Sequence, residues 1–168
     1  PTRFADYPVL FKVRRSGILE SPTLELRGAV YAEDVFCVPS VAKKKLDLEV
    51  TVHNPTAKDA EVSVSAAVRE WRKGGDPALK LDPATVTVPA GKSVAVKLSA
   101  AWADARLWWP DEPTQYVAET TISAGGKAVD RAETKFGFRE WGIRGNQFTL
   151  NGVPWHFRAD LRHNSPES

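Results

Sequence analysis

The chain has 168 residues, 42% of them apolar, enough to bury the core of one domain, or of one domain with pieces of its neighbours. Its 23 basic and 21 acidic side chains leave a formal charge of +2, and apart from Lys43, Lys44 and Lys45 the basic residues are scattered, which gives no electrostatic footprint for nucleic acid. No apolar run approaches the ~20 residues that cross a bilayer as a helix, and no signal-peptide pattern opens the chain. Cys37 stands alone, so an internal disulfide is excluded and the compartment cannot be read from cysteine usage. A chain that begins at Pro1 without methionine reads as a processed or excised segment.

Residues 1–32 carry two strand-like runs, "VLFKV" and "TLELR", interrupted by Pro8, Gly17, Pro22 and Gly28, and read as a remnant of something preceding the main fold. Glu33 and Asp34 open the next strand and are expected to face solvent. The lysine run at 43–45 lies just before a strand and reads as a solvated edge that discourages sheet-to-sheet pairing. From Lys45 the dominant period is two: "KLDLEVTVHN" sets Leu46, Leu48, Val50 and Val52 against Asp47, Glu49, Thr51 and His53, one face for a core and one for water. Asn54-Pro55 stops it. "AEVSVSAAVREW" repeats the pattern through Val62, Val64, Ala66 and Val68, and "GGDP" at 74–77 is the next break. "ATVTVPAGKSVAVKLSA" supplies two runs around the turn signal Pro89-Ala90-Gly91. "TQYVAETTISAGGKAVDRAETKFGF" supplies two more around Gly125-Gly126, where glycine accepts positive φ at low steric cost.

No segment shows a helical period with caps at both ends. Short strands at intervals of about ten residues, separated by turn chemistry, predict an all-β fold: an antiparallel immunoglobulin-like β-sandwich over residues 33–140. An antibody-type domain would carry two cysteines bracketing a tryptophan; with Cys37 alone, this core rests on packing. Beyond it, Asn151-Gly152 is the strongest short hairpin signal in the chain, joining "QFTL" to "VPWHF". "HFRADLRH" then reads as a further strand whose partners are not in this sequence.

Candidate chemistry is sparse. Asp111 and Glu112 lie between Pro110 and Pro113, which reads as a turn and not a catalytic pair. Glu140 follows Arg139 at the end of a strand and is expected to make a partly exposed ion pair. His53 sits on the polar phase of its strand and is expected to be exposed; His156 lies in the hairpin. Neither has the spacing of a metal ligand, so no metal and no cofactor is expected. Six tryptophans, at 71, 102, 108, 109, 141 and 155, could form a sugar platform, but packing or contact between domains is favoured, because indole buries a large apolar area while its N–H stays satisfied.

Three stretches, "YAEDVFCVPSVAKKKLDLEVTVHN" (31–54), "LWWPDEPTQYVAET" (107–120) and "KFGFREWGIRGNQFTLNGVPWHFRADLRH" (135–163), resemble glycoside hydrolase family 2, the β-galactosidases, β-glucuronidases and β-mannosidases. "SGILESPTLEL" (16–26) is similar to the last strands of the family's first domain. The resemblance implies three unequal parts: a jelly-roll, sugar-binding remnant at 1–32, the sandwich at 33–140, and at 141–168 a hairpin with the first strand of a truncated (β/α)8 catalytic barrel. It implies a retaining O-glycosyl hydrolase of carbohydrate metabolism as the parent. Such enzymes work with two carboxyl groups ~5 Å apart, in this family two glutamates on later barrel strands, the acid/base within an Asn-Glu dipeptide. No Asn-Glu dipeptide occurs in this chain, so no residue here is assigned as catalytic and the chain alone is expected to be inactive.

The resemblance also implies that His163, just past the first barrel strand where such barrels build their active sites, contacts the sugar in the intact enzyme together with Arg162. Asn164 stands where the family has glutamate, and Ala159-Asp160-Leu161 where Gly-Val-Asn is common. The partners implied are a carbohydrate substrate held by the barrel, the neighbouring domains and a second copy, with no nucleic acid and no membrane; family habit places the protein in the periplasm or outside the cell ahead of the cytoplasm. A hairpin meant to pack under a barrel should, in this chain, be mobile or dock on another copy through Phe148, Leu150, Trp155 and Phe157. The alternative is a free-standing immunoglobulin-like carbohydrate-binding or adhesion module sharing only a fold.

Overall fold

The alternating runs become strands in a computed structural model of the protein, which describes residues 27–73 and 75–157. Seven long strands come first: β1 (Tyr31–Ser40), β2 (Lys45–Asn54), β3 (Ala60–Glu70), β4 (Leu79–Val88), β5 (Lys92–Ala101), β6 (Tyr116–Ala124) and β7 (Lys127–Phe136). Three short ones follow: β8 (Trp141–Arg144), β9 (Gln147–Leu150) and β10 (Val153–Trp155). All pair antiparallel, in sheets of order β1-β2-β5, β4-β3-β6-β7 and β10-β9-β8. No helix occurs among the described residues. The first two sheets form a sandwich whose strand order is of the immunoglobulin type, with the fourth strand beside the third. The jelly-roll remnant read at 1–32 lies almost wholly outside the described residues, as does the chain after Phe157.

The core is the meeting of two alternations. Leu46, Leu48, Val50 and Val52 of β2 face Val62, Val64, Ala66 and Val68 of β3 across the sandwich, none more than 5% exposed. At one end Trp102 packs edge-on against Tyr116 and Phe138, with ring centroids 4.7 and 5.3 Å away. The Tyr116 hydroxyl accepts the Arg106 backbone N–H at 2.9 Å. A tyrosine at the start of the sixth strand, bonded to backbone upstream, is a recurrent corner of such sandwiches and does the tethering here that no disulfide can do. Burial pushes the half-buried Cys37 thiol up to about 12, which keeps it protonated and unreactive.

Several residues depart from their expected places, each for a local reason. Glu33 and Asp34 do not: both face solvent as expected, turned outward together by a bulge between Ala32 and Asp34. The lysines do not guard an edge: Lys43 and Lys44 lie in the β1–β2 turn, Lys44 at φ +49°, and Lys45 begins β2, the central strand of its sheet. His53 is half-buried, its Nδ1 2.9 Å from Ser93 Oγ and its ring 5.4 Å from that of Tyr31. Asn54 ends β2 by satisfying itself completely. Its Nδ2 donates to the Lys58 and Val88 carbonyls at 2.8 and 2.9 Å, and its Oδ1 accepts from Thr56 N and Oγ1 at 3.1 and 2.7 Å. Strand β4 starts five residues before the β-branched run because Asp82 and Pro83 form a bulge opposite Val64–Ala66, on an edge strand where proline's missing N–H breaks no ladder. Pro89-Ala90-Gly91 is a turn, but it carries the chain from one sheet to the other.

Asp47 sits on the polar phase of β2 yet is buried. Lys45 Nζ donates to it at 2.7 Å, Ser99 Oγ at 2.6 Å, and Lys97 Nζ lies 3.4 Å away. The Lys45 and Ser99 bonds hold its carboxyl at about 2 against an ordinary 3.8. A lowered folded-state value means that this stabilisation is complete above pH ~4 and is lost as pH falls through about 2. Asp47→Asn should lower stability by about 1–2 kcal/mol at pH 6 and flatten the fall in urea midpoint between pH 4 and pH 2; an unchanged fall would contradict this role. Conversely, Thr120 Oγ1 is buried and has no hydrogen-bond partner among the described residues. Thr120→Val, isosteric and without the stranded hydroxyl, should raise stability by about 0.5–1.5 kcal/mol; a lower urea midpoint would count against it.

Candidate functional site

The feature that the sandwich does not need is the third sheet. Its first turn, Gly145-Asn146, uses Gly145 at φ +62°; its second, Asn151-Gly152, holds both residues left-handed, at φ +53° and +80°, the two-residue turn that matches strand twist. Strand β8 went unread in the sequence because its four residues, "WGIR", show no alternation long enough to register. Register places Trp141 opposite Leu150, Ile143 opposite Phe148, and Val153 and Trp155 opposite Leu150 and Phe148. Period two then puts six apolar side chains on one face. Only Leu150 is fully buried and Trp155 half so, while Trp141, Ile143, Phe148 and Val153 are 43–73% exposed. Phe157 lies across this face, stacked on Trp141 and edge-on to Phe148, both centroids at 5.2 Å. The expected docking set therefore changes. Leu150 is already buried inside the chain, and Trp141, Ile143 and Val153 join Phe148 and Phe157 as exposed apolar side chains.

A dense junction ties this sheet to the sandwich. Trp108 N–H donates to the Phe138 carbonyl at 2.9 Å, its ring lies against Gly137, and Arg139 covers the ring with its guanidinium 4.3 Å from the centroid. Glu140 makes no ion pair with Arg139. The arginine is spent on Trp108, and Glu140 Oε2 accepts from Ala42 N at 2.9 Å and Ser40 Oγ at 3.3 Å. Asn151 closes the junction: its N–H donates to the Glu140 carbonyl at 2.8 Å, its Oδ1 accepts the Glu140 N–H at 3.0 Å, and its Nδ2 donates to the Trp108 carbonyl at 3.1 Å.

The sequence-derived sugar contacts, Arg162 and His163, lie outside the described residues. Asp111 and Glu112 do form a turn, closed by reciprocal backbone bonds between Trp109 and Glu112 at 3.1 and 3.2 Å. They edge an open cleft of about 430 Å³ shared with Trp109, Pro110 and Trp155. Nothing among the described residues has the geometry of a glycosidase pair. Carboxylates that come together do so on a shared cation: Glu119 and Glu133 on Arg69, Glu70 and Glu112 on Arg106, Asp47 and Glu49 on Lys97. A proton-donating glutamate needs instead an apolar pocket that keeps it neutral. Ser93 lies between His53 and Glu33, but it donates its proton to Glu33 at 2.8 Å and leaves His53 as an accessory, the reverse of a hydroxyl activated by an oriented imidazole. No three His, Cys, Asp or Glu side chains among the described residues are grouped to hold a metal ion.

Four tryptophans have packing roles. Trp102 is in the core and Trp108 in the junction. Trp71 is covered by Lys135 and Arg72, 3.5 and 3.9 Å from its ring centroid, and Trp109 packs against Trp155 at 6.4 Å. The sequence offered one signal for the junction, a glycine between two phenylalanines beside Arg139. A Cβ on Gly137 would lie 2.8 Å from Trp108 Cδ1, so Gly137→Ala must displace the indole. The expected result is a changed near-UV circular dichroism spectrum and a loss of about 1–3 kcal/mol; a wild-type spectrum would show that Trp108 is not held there.

Residues 30–139 match the family described as glycosyl hydrolases family 2. The exo-β-D-glucosaminidase of Hypocrea jecorina is 30% identical over 155 residues, which cover 83% of this chain and 17% of that protein. A β-glucuronidase structure from Bacteroides uniformis superposes with a TM-score of 0.65 at 21% identity, over 80% of this chain and 17% of that one, a likeness of fold alone. The exo-chitosanase CsxA of Amycolatopsis orientalis superposes with a TM-score of 0.57 at 26% identity, over 76% of this chain and 16% of that one. The chain spans about a sixth of the length of these relatives. Because the family match takes in the whole seven-stranded sandwich, the chain belongs to glycosyl hydrolases family 2.

Proposed function

We propose that this chain is the non-catalytic sandwich segment of a family 2 glycosidase, which holds a preceding sugar-binding domain and a following catalytic barrel in fixed relation. On this reading residues 1–32 end a jelly roll, 33–140 are the spacer sandwich, and 141–168 cap and begin a (β/α)8 barrel whose sugar subsite includes His163 and Arg162. The parent is a retaining O-glycosyl hydrolase. The exo-β-D-glucosaminidase and exo-chitosanase relatives support a β-linked amino sugar as its substrate class. The observation that carries the proposal is the apolar face of the β8–β9–β10 sheet. It stands exposed at the point where the chain continues beyond Phe157, and a contiguous aromatic face of this kind marks a contact surface.

A free-standing carbohydrate-binding or adhesion module would share the fold alone, whereas the family match over residues 30–139 supports a glycosidase segment. The test is enzymatic. The 168-residue chain should turn over no nitrophenyl β-glucosaminide, glucuronide, galactoside or mannoside, whereas a chain extended through the following ~250 residues of a barrel should hydrolyse at least one. Activity of the short chain that survives repurification, or an extended chain inert on all four, would overturn the proposal.

A further inference from the structure

The geometry points to Asn151 as a positioning residue that locks the β8–β9–β10 sheet to the sandwich, beyond its duty in the turn. A left-handed position before Gly152 asks only for glycine, asparagine or aspartate, so the turn by itself explains φ +53° and leaves the side chain without a task. The side chain nevertheless reaches two separate parts of the chain, eleven residues away at Glu140 and 43 residues away at Trp108. Its amide is the one group that fits both. The Glu140 N–H requires an acceptor and the Trp108 carbonyl requires a donor, so Oδ1 and Nδ2 are assigned without ambiguity.

Each partner is itself immobilised in the sandwich. Trp108 is bonded to Phe138 and wedged between Gly137 and Arg139, while Glu140 is anchored to the β1–β2 turn through Ala42 and Ser40. The hairpin thus has two hydrogen bonds of orientation that depend on one side chain, and rotating it away from the sandwich breaks both together. If residues 141–168 lead into a barrel, as proposed above, the same lock sets the angle at which the barrel leaves the sandwich.

The experiment uses the 168-residue chain and residue-resolved amide exchange, with three variants that keep the turn but change the lock. Asn151→Gly retains the left-handed turn and removes both side-chain bonds. Exchange at Gly142, Gln147, Leu150 and Val153 should accelerate ~10-fold or more, as expected for two net hydrogen bonds, with β2 and β3 amides within about twofold of wild type. Asn151→Asp keeps the acceptor for Glu140 but aims an oxygen at the Trp108 carbonyl. It should loosen the hairpin at pH 6 and tighten it again, relative to wild type at the same pH, below the ordinary carboxyl value of ~3.9, where the acid can donate. Glu140→Ala should loosen the hairpin to an intermediate degree. Wild-type exchange in the hairpin of Asn151→Gly, equal acceleration in β2 and β3, or an Asn151→Asp hairpin that ignores pH would each overturn the inference. None of these outcomes depends on whether the parent is a glycosidase.

Discussion

The structure depends on the face-to-face burial of β2 and β3. Eight aliphatic side chains from two strands meet with almost no residual exposure, and at roughly 25 cal/mol per Å² of apolar area that contact dominates the stability of a domain whose single cysteine forms no disulfide. Everything else is arranged around keeping those two strands in register. β1 and β5 flank β2, β4 and β6 flank β3, and the Tyr116–Arg106 bond fixes the connection that crosses from one sheet to the other. The polar groups drawn into the fold follow the same logic. Asn54 and Asp47 are buried because each has its full complement of local partners, and a buried polar group with partners costs little.

From that rigid base the chain builds an end rather than a pocket. Phe138 is the last residue of the sandwich core, and the three positions around it hand over to the third sheet: Gly137 admits Trp108, Arg139 covers it, and Glu140 meets both the β1–β2 turn and Asn151. The carboxylates that come together do so on a shared arginine or lysine, which suits structure and not acid catalysis. What the sheet presents outward is apolar: Trp141, Ile143, Phe148 and Val153, with Phe157 folded across them. A surface that is apolar, aromatic and held in place by hydrogen bonds behind it is suited to receive another folded part. That is the physical content of the spacer role proposed for this segment.

Much of this was legible in the residues. Strict alternation from Leu46 to Val52 and from Val62 to Val68 located the core strands, and Gly125-Gly126 and Asn151-Gly152 located two tight turns, because both signals are local and each residue acts on its own neighbourhood. Family motifs added the identity of the fold's owner. What escaped was set by contacts distant in sequence. Asp47 reads as solvent-facing until Lys45, Lys97 and Ser99 are seen around it. Glu140 reads as an ion pair with Arg139 until Trp108, far upstream in the chain, claims the arginine. The bulge at Asp82-Pro83 and the sheet change at Pro89-Ala90-Gly91 are decided by which strand lies alongside, and the four residues of β8 are too short to show a period. Leu150 shares a face with Phe148, yet the junction buries one and leaves the other in water.

If this segment leads into a catalytic barrel as proposed, the aromatic face of its third sheet is covered in the intact enzyme. Hydroxyl-radical footprinting of Trp141, Phe148 and Phe157, in this chain and in the full-length parent enzyme, tests that claim most directly. All three rings should label strongly in the 168-residue chain and be protected ~10-fold or more in the parent, as expected for side chains taken into a well-packed interface. Equal labelling in the two proteins would contradict it.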